Sequence, residues 1–167
     1  MAEEKTLILV RHAKSSWKDT SLNDIQRPLN KRGNKDAPKM GEHLSNQKIQ
    51  PEVIFSSPGL RALTTARLIS VKIGIKPSDI IVKDDLYSFN HSDLLSAINS
   101  IKNRYKKIMI VGHNPAITDI VNYLSGSHID NVPTCGVAIL KCKVDSWKKV
   151  DKNKASLVNF DYPKKLW

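Results

Sequence analysis

The segment LILVRHAKSSW, residues 7–17, places Arg11 and His12 directly after four aliphatic residues. A buried strand gains nothing by ending on two groups that are costly to remove from water. An arginine guanidinium binds phosphate oxygens through two parallel hydrogen bonds, and an unprotonated imidazole nitrogen can act as a nucleophile. This pair alone is weak evidence, but it is a candidate for phosphoryl chemistry if further anion ligands meet it at the end of the strand.

The segment SSPGLR, residues 56–61, follows a second apolar run and predicts the start of a helix. We expect Ser57 to be the N-cap and Pro58 the first helical residue, where a missing N–H is harmless. Arg61 then falls in the first helical turn, where the helix dipole disfavours a cation unless an anion is bound. Arg61 is therefore a candidate anion ligand.

The segment GHNP, residues 112–115, follows a third apolar run. Asn114 is predicted as a helix N-cap and Pro115 as the first helical residue, so the free amides of this helix also suit an anion. His113 can donate a hydrogen bond to a phosphoryl oxygen. Because ligands of open α/β sheets bind at the carboxyl ends of the strands, both arginines and both histidines are expected in one crevice.

An alternation of strands and helices must position these residues. The apolar runs predict strands at 6–10, 52–55 and 107–111, and the amphipathic stretches predict helices at 35–44, 58–73 and 115–124. The last apolar segments, 136–144 and 154–162, predict an antiparallel hairpin that closes the sheet. The predicted fold is a three-layer α/β/α sandwich with a mainly parallel sheet, formed by one domain over residues 1–167.

Composition restricts the compartment and the partners. The apolar run near the N-terminus has four residues and no stretch approaches the ~18 that a membrane span needs, so we expect a cytoplasmic protein without a membrane partner. Cys135 and Cys142 form no CxxC pair and are expected in the core.

The net charge of +11 favours anionic partners, and residues 141–165 carry eight lysines. A solvated surface is the favoured explanation of these C-terminal lysines. The sequence contains no RRM, KH or zinc-finger signature, so we expect no specific nucleic-acid partner.

A metal site is the main chemical alternative for the histidines. It would combine His12, His113 and His91 with Asp84 or Asp85. Two nearby arginines would repel a divalent cation, and HExxH or other tight ligand spacing is absent. The nucleotide motifs GxxxxGK[ST] and GxGxxG are absent as well, so neither a metal nor a cofactor is expected.

Taken together, LVRHAKSSW, SSPGLRALTTA and VGHNP resemble the three motifs of the histidine phosphatase superfamily, which has the phosphoglycerate-mutase-like fold. Within it, the chain is most similar to the small SixA-type phosphohistidine phosphatases, because of RHAKSSW, RPLNKRG at residues 27–33 and the short length. The similarity spans roughly residues 6–125.

The resemblance implies a role for each matching residue. His12 would be the nucleophile that forms a covalent phosphohistidine, within a phosphate pocket of Arg11, Arg61 and His113. Arg27 would be an additional cation on the substrate side, although a surface ion pair with Asp24 explains it equally well. Further phosphate contacts through a hydroxyl or a backbone amide are expected from Ser16 and Asn114.

The chain departs from the superfamily at the general acid, which is a glutamate in many members. Residues 68–106 contain no glutamate, which leaves Asp84 and Asp85 as possible acids. Protonation of an alkoxide leaving group contributes ~10²–10⁴-fold, whereas the labile P–N bond of phosphohistidine releases an imidazole that can already carry its proton. We therefore expect a phosphohistidine-bearing protein as substrate and inorganic phosphate as product. A small phosphorylated metabolite, or phosphate binding without catalysis, is the alternative.

Overall fold

Short apolar runs that alternate with amphipathic segments form the strands and helices. The computed structural model describes residues 4–167, so residues 1–3 of the predicted domain lie outside the described range. The strands in this range are β1 (Lys5–Arg11), β2 (Val53–Ser56), β3 (Ile81–Val82), β4 (Lys107–Gly112), β5 (Val137–Cys142) and β6 (Ala155–Asp161). The helices in it are α1 (Lys31–Asn46), α2 (Leu60–Lys72), α3 (His91–Asn99), α4 (Ala116–Ser125) and α5 (Pro163–Leu166).

The strands form one sheet in the order β3-β2-β4-β1-β5-β6. β3, β2, β4 and β1 run parallel, whereas β5 is antiparallel to β1 and β6 is antiparallel to β5. Arg11 lies opposite Gly112, and Ser56 lies opposite Val111, so β1, β4 and β2 end side by side. The mainly parallel sheet and the antiparallel C-terminal hairpin are both confirmed.

Each face of the sheet is covered by helices because successive strand residues point to opposite sides. In β1, Leu7 and Leu9 belong to the core under α3 and α4, whereas Ile8 and Val10 belong to the core under α1 and α2. The near-continuous apolar strands and the one-sided apolar helices follow from this double covering. The three-layer α/β/α prediction is confirmed, and no helix among residues 4–167 has the length and apolar character to cross a membrane.

All three predicted helix starts differ from the structure. α1 begins at Lys31, four residues before its predicted start, because Asn30 is its N-cap, whereas α2 and α4 begin two residues and one residue late. α2 begins at Leu60 with Gly59 as its N-cap, not after Ser57. The hydroxyl of Ser57 accepts from the Gly59 amide at 3.0 Å and contacts the His113 ring at 2.8 Å, and this local turn delays the helix.

α4 likewise begins at Ala116, with Pro115 at the N-cap position instead of the first helical position. The side-chain oxygen of Asn114 still accepts from the Thr118 amide at 3.1 Å, so it satisfies a donor of the first turn.

The hairpin places most C-terminal lysines away from the ends of the parallel strands. Thr6 pairs with Lys141, so the turn that joins β5 to β6 lies beside the start of β1. Cys135 and Cys142 are buried free thiols, as expected of core residues.

Candidate active site

The end of β1 and the end of β4 bring the two histidines together. The His12 amide donates to the Gly112 carbonyl at 3.1 Å, and the centroids of the His12 and His113 rings are 5.3 Å apart. Arg61, in the first turn of α2, places its Nε 3.4 Å from His12 Nε2. These side chains and Arg11 line a cleft of about 160 Å³. The other residues that line it are Lys14, Ser15, Trp17, Arg27, Phe89, Asn114 and Thr134.

The orientation of the His12 ring follows from its backbone contact. Nδ1 lies 2.7 Å from the Ala13 carbonyl oxygen, which can only accept, so Nδ1 carries the hydrogen and Nε2 keeps a lone pair. Burial, with a smaller effect of the neighbouring arginine charges, lowers the pKa of His12 to about 4. The imidazole is therefore neutral at neutral pH, and its unprotonated nitrogen faces the Arg61 guanidinium.

His113 is held by the turn before α2. The Ser57 hydroxyl oxygen accepts from the Gly59 amide and lies 2.8 Å from His113 Nε2. We assign the hydroxyl hydrogen to this second contact, which places the ring hydrogen on Nδ1. Burial and then the charge of Arg61 lower the pKa of His113 to about 3. His113 is thus a neutral hydrogen-bond donor.

Two buried donors at this site lack a partner. Arg11 Nη1 donates to the Val132 carbonyl at 3.0 Å, but Arg11 Nε and His113 Nδ1 have no partner. Among the side chains of residues 4–167, these are the two buried polar atoms left unsatisfied. Such an atom costs about 1–3 kcal/mol, and a bound anion could supply the missing acceptor. Burial and the charge of Arg61 also lower the pKa of Arg11.

Asp24 was expected from the sequence only as an ion-pair partner of Arg27, but it also holds Arg61 and Tyr87. Its carboxylate contacts Arg27 Nη1 and Arg61 Nη2, both at 3.0 Å, and accepts from the Tyr87 hydroxyl. Its backbone carbonyl accepts from Arg61 Nη1 at 2.7 Å. Partial burial raises the pKa of Asp24, but the hydrogen bonds from Tyr87 and Arg61 outweigh it and lower the pKa to about 2. Asp24 is therefore ionised and fixes the Arg61 guanidinium with its Nε edge toward His12.

Both interpretations of Arg27 describe part of the structure. It pairs with Asp24, as the surface alternative requires, yet it is also buried and lines the cleft. Its Nη2 donates to the Ser15 hydroxyl, and its Nε donates to the Ser16 carbonyl at 3.3 Å. Its guanidinium carbon lies 3.3 Å from the centroid of the Trp17 ring.

The structure places Ser16 and Asn114 differently. The Ser16 hydroxyl accepts from the Lys18 amide at 3.2 Å, and it is Ser15 that lines the cleft. Asn114 lines the cleft, but its side-chain nitrogen donates to Asn131 and to the Val132 carbonyl. A phosphate contact of either residue stays a prediction. Because the Asn114 side chain is already hydrogen-bonded, the predicted contact of this residue is through its backbone amide.

Neither candidate general acid lies in the cleft. Asp84 and Asp85 are exposed residues of the short 3-10 helix Asp84–Leu86. No aspartate or glutamate lines the part of the cleft that the structure describes. Their role as acids stays a prediction.

The described residues provide no cluster of metal ligands for the metal-site alternative. Residues 4–167 contain no group of three or more histidine, cysteine, aspartate or glutamate side chains that could hold a metal ion. His91 stacks against Tyr123 instead, with ring centroids 5.2 Å apart.

The segment RPLNKRG fixes the loop that follows β1. Asn30 caps α1 by accepting from the Gly33 amide at 2.8 Å. A Cβ atom at Gly33 would lie 2.2 Å from the Lys14 carbonyl oxygen, so only glycine permits this close approach. This contact holds the cleft-lining loop against the start of α1.

Comparison with known proteins identifies relatives of the chain. A sequence profile of the histidine phosphatase superfamily (branch 1) matches residues 7–95. An uncharacterized chloroplastic protein of Arabidopsis thaliana is 33% identical over 153 residues, which cover 87% of this chain and 70% of that protein. The predicted family is confirmed.

Solved structures share the whole fold. A protein from Agrobacterium tumefaciens that carries the name phosphohistidine phosphatase SixA is 25% identical, with a TM-score of 0.79 over 95% of this chain and 98% of that one. A mycobacterial glucosyl-3-phosphoglycerate phosphatase is 13% identical, with a TM-score of 0.68 over 93% of this chain and 98% of that one. The second likeness is one of fold alone, and a shared fold does not determine the substrate.

Proposed function

This chain belongs to the histidine phosphatase superfamily, and we propose that it removes the phosphoryl group from protein phosphohistidine through a covalent intermediate on His12. The observation that carries the proposal is the neutral His12 ring, whose Nε2 lone pair lies beside Arg61 and whose neighbours Arg11 and His113 have unused donors. Membership of the superfamily and the likeness to SixA support a phosphatase.

In the first step, the lone pair of His12 Nε2 forms a bond to phosphorus, and the bond from phosphorus to the substrate imidazole nitrogen breaks. When the substrate ring is protonated on its other nitrogen, the leaving group keeps the electron pair of the broken bond and departs as a neutral imidazole. Arg11 and Arg61 bind the phosphoryl oxygens, and His113 Nδ1 donates to them. In the second step, the oxygen of a water molecule forms a bond to phosphorus, and the bond from phosphorus to His12 Nε2 breaks with its electron pair returning to Nε2. Both water protons leave with the inorganic phosphate, and His12 is again neutral with its hydrogen on Nδ1.

The nature of the leaving group favours phosphohistidine over an alkyl ester. An alkoxide needs a proton from the enzyme, and no carboxyl group lines the described part of the cleft. Asp24, which binds Arg61 beside the cleft, is ionised because its pKa is lowered to about 2. A protonated imidazole leaves without that help, so the absence of an acid costs little with this substrate.

The scheme uses no metal ion, and it needs neither Asp84 nor Asp85. A phosphatase of small metabolites would need one of these carboxyl groups, or another acid, to move into the cleft. A module that binds phosphate without turnover would leave the His12 lone pair unused. Both alternatives are separable by kinetics.

The decisive experiment compares substrates with different leaving groups. Purified protein is given a phosphotransfer-domain protein phosphorylated on histidine, and in parallel phosphoserine, glucose 6-phosphate and p-nitrophenyl phosphate, each with and without EDTA. We expect kcat/KM for the phosphohistidine protein to exceed that for the alkyl esters by at least about 10²-fold. Faster hydrolysis of the alkyl esters, or loss of activity in EDTA, would refute the proposal.

A second measurement tests the covalent step. After a brief reaction with radiolabelled phosphohistidine protein and an acid-free quench, label should remain on the wild type as acid-labile phosphohistidine. The variant His12→Ala should carry none. Label on a residue other than His12 contradicts the assignment of the nucleophile.

A further inference from the structure

Two exposed apolar side chains line the charged cleft, and two more belong to chain neighbours of Asp24 and Arg61, although water-exposed apolar surface is usually dispersed. Trp17 and Phe89 line the cleft and have 71% and 42% of their surface exposed. Ile25 and Leu60, each 38% exposed, are the chain neighbours of Asp24 and Arg61, whose side chains are joined at 3.0 Å. We call Trp17, Ile25, Leu60 and Phe89 the apolar rim.

The two aromatic residues of the apolar rim are held in place from inside the site. The Arg27 guanidinium covers one face of the Trp17 ring, which leaves the other face open to solvent. The Phe89 ring lies 5.3 Å from the His113 ring and 5.4 Å from the Tyr87 ring, measured between centroids. Rigid aromatic side chains beside an arginine are typical of the residues that dominate binding energy at protein interfaces.

The cleft itself is too small for most of a substrate. Its volume of about 160 Å³ is below the ~300–1,000 Å³ of pockets that enclose small molecules. A phosphoryl group and part of the ring that bears it fit inside, and the rest of the substrate must lie outside, against the apolar rim.

Resting on the proposed function, we infer that the apolar rim is a docking surface for the folded protein that presents the phosphohistidine. The rim residues come from separate loops and a helix start, so they offer contacts around the mouth rather than a slot for one flat ring. The floor of the cleft is cationic and complements the phosphoryl group, whereas the rim complements apolar side chains next to it. A polyhydroxylated sugar phosphate gains nothing from such a rim.

The test separates docking from chemistry by using a large and a minimal substrate. The variant Ile25→Ser/Leu60→Ser removes two rim side chains that do not line the cleft. We expect its KM for the histidine-phosphorylated phosphotransfer-domain protein to rise about tenfold. Its kcat/KM for phosphoramidate, which has no protein part, should stay within about twofold of the wild type.

The aromatic rim residues are judged by a ratio, because they also line the cleft. For Trp17→Ala and Phe89→Ala, kcat/KM for the protein substrate divided by kcat/KM for phosphoramidate should fall at least about fivefold. Trp167→Ala is the matched control, since Trp167 is 44% exposed and is covered by Lys39 at 5.2 Å but does not line the cleft. That ratio should not change in the control.

Three outcomes would overturn the docking surface. Equal loss on both substrates means that the rim acts on the cleft and not on a partner. An unchanged ratio in all rim variants means that the partner docks elsewhere. A larger loss with AMP than with the protein means that the rim binds the ring of a free nucleotide. Failure of the wild type to hydrolyse the protein substrate, with rapid hydrolysis of esters, refutes the proposed function instead.

Discussion

Both ends of the central sheet are rich in basic residues, but the residues are used differently. At the carboxyl ends of β1 and β4, His12, Arg61 and His113 are buried and held by defined contacts. At the opposite end, the turn between β5 and β6 carries exposed lysines such as Lys148 and Lys152. The ion pair of Lys149 with Asp145 there joins side chains that are 65% and 58% exposed.

The buried cations of the two ends differ in how their donors are satisfied. Lys5, at the start of β1, is 1% exposed and donates to the carbonyls of Asn103 and Tyr105 at 2.8 and 3.1 Å. In contrast, Arg11 Nε and His113 Nδ1 are buried without a partner. A buried donor that the fold satisfies indicates structure, and one that the fold leaves open indicates a ligand.

At the two ends of the sheet, the position of a charge matters more than the number of charges. Exposed ion pairs contribute about 0–1 kcal/mol, and their field is screened beyond ~8 Å at physiological ionic strength. Buried and oriented groups keep most of their electrostatic strength. Substitutions at the site should therefore have much larger effects than substitutions at the lysine-rich turn.

The largest effect is expected for the proposed nucleophile. His12→Ala removes the only atom of this chain that bonds to phosphorus in the scheme, so kcat for the phosphohistidine protein should fall at least about 10³-fold. The melting temperature should not fall below that of the wild type by more than a few degrees, because the ring contributes little to the core. Retained turnover in a correctly folded His12→Ala protein would remove the contrast between the two ends.

A smaller but substantial loss is expected when the phosphate-binding fork changes. Arg61→Ala should lower kcat/KM by about 10²–10³-fold. Arg61→Lys keeps the charge but not the planar fork that joins His12 Nε2 to Asp24, so it should restore less than about a tenth of the wild-type rate. Full activity of Arg61→Lys would show that a positive charge at this position is enough for catalysis and that the planar fork is not needed.

Much of this site could be predicted because its signals are local. Arg11, His12, Arg61 and His113 each follow a short apolar run, and parallel strands end at one edge of the sheet, so their meeting follows from the alternation of strands and helices. The hairpin at the C-terminus was likewise indicated by two adjacent apolar segments.

The rest depends on contacts between distant segments, which no local pattern reveals. Asp24 reaches Arg61 and Tyr87 across 37 and 63 residues of sequence. Ser57, expected as a helix N-cap, instead contacts His113, 56 residues away, and its hydroxyl accepts from the Gly59 amide in the turn before α2. Strand order is not encoded in strand composition, and the exposure of Phe89 depends on the conformation of its loop.

An intermediate effect is expected for the residue that orients His113. Ser57→Ala removes the hydroxyl that bonds to His113 Nε2, so kcat should fall about tenfold, in line with the loss of one hydrogen bond. The ring can then place its hydrogen on either nitrogen, and Ser57→Thr, which keeps the hydroxyl, should recover most of the rate. A merely structural role would lower the melting temperature of Ser57→Ala and leave kcat unchanged.

The pH dependence should be weaker than a histidine enzyme normally shows. The pKa of His12 is lowered from 6.5 to about 4, so the nucleophile stays unprotonated down to about pH 5. NMR titration of the His12 ring should show no protonation between pH 8 and 5, and a midpoint near 6.5 would contradict the buried geometry.

Stability follows the same shift. Between pH 6.5 and about 4, the His12 ring is protonated in the unfolded chain but not in the folded one. The contribution of His12 to the free energy of unfolding is therefore present above pH 6.5 and is lost progressively as the pH falls towards about 4. The fall in melting temperature over this window should be smaller in His12→Ala.

The smallest effect is expected at the lysine-rich turn. The variant Lys148→Gln/Lys149→Gln/Lys152→Gln lowers the net charge by three but alters only exposed side chains at the end of the sheet away from the cleft. Its kcat/KM for phosphoramidate should stay within about twofold of the wild type, and its unfolding free energy within about 0.5 kcal/mol. With the protein substrate, any loss should disappear as salt is raised, because it arises from long-range attraction rather than contact. A loss that persists at high salt would show that this end also touches the substrate, and the two ends of the sheet would then share one function.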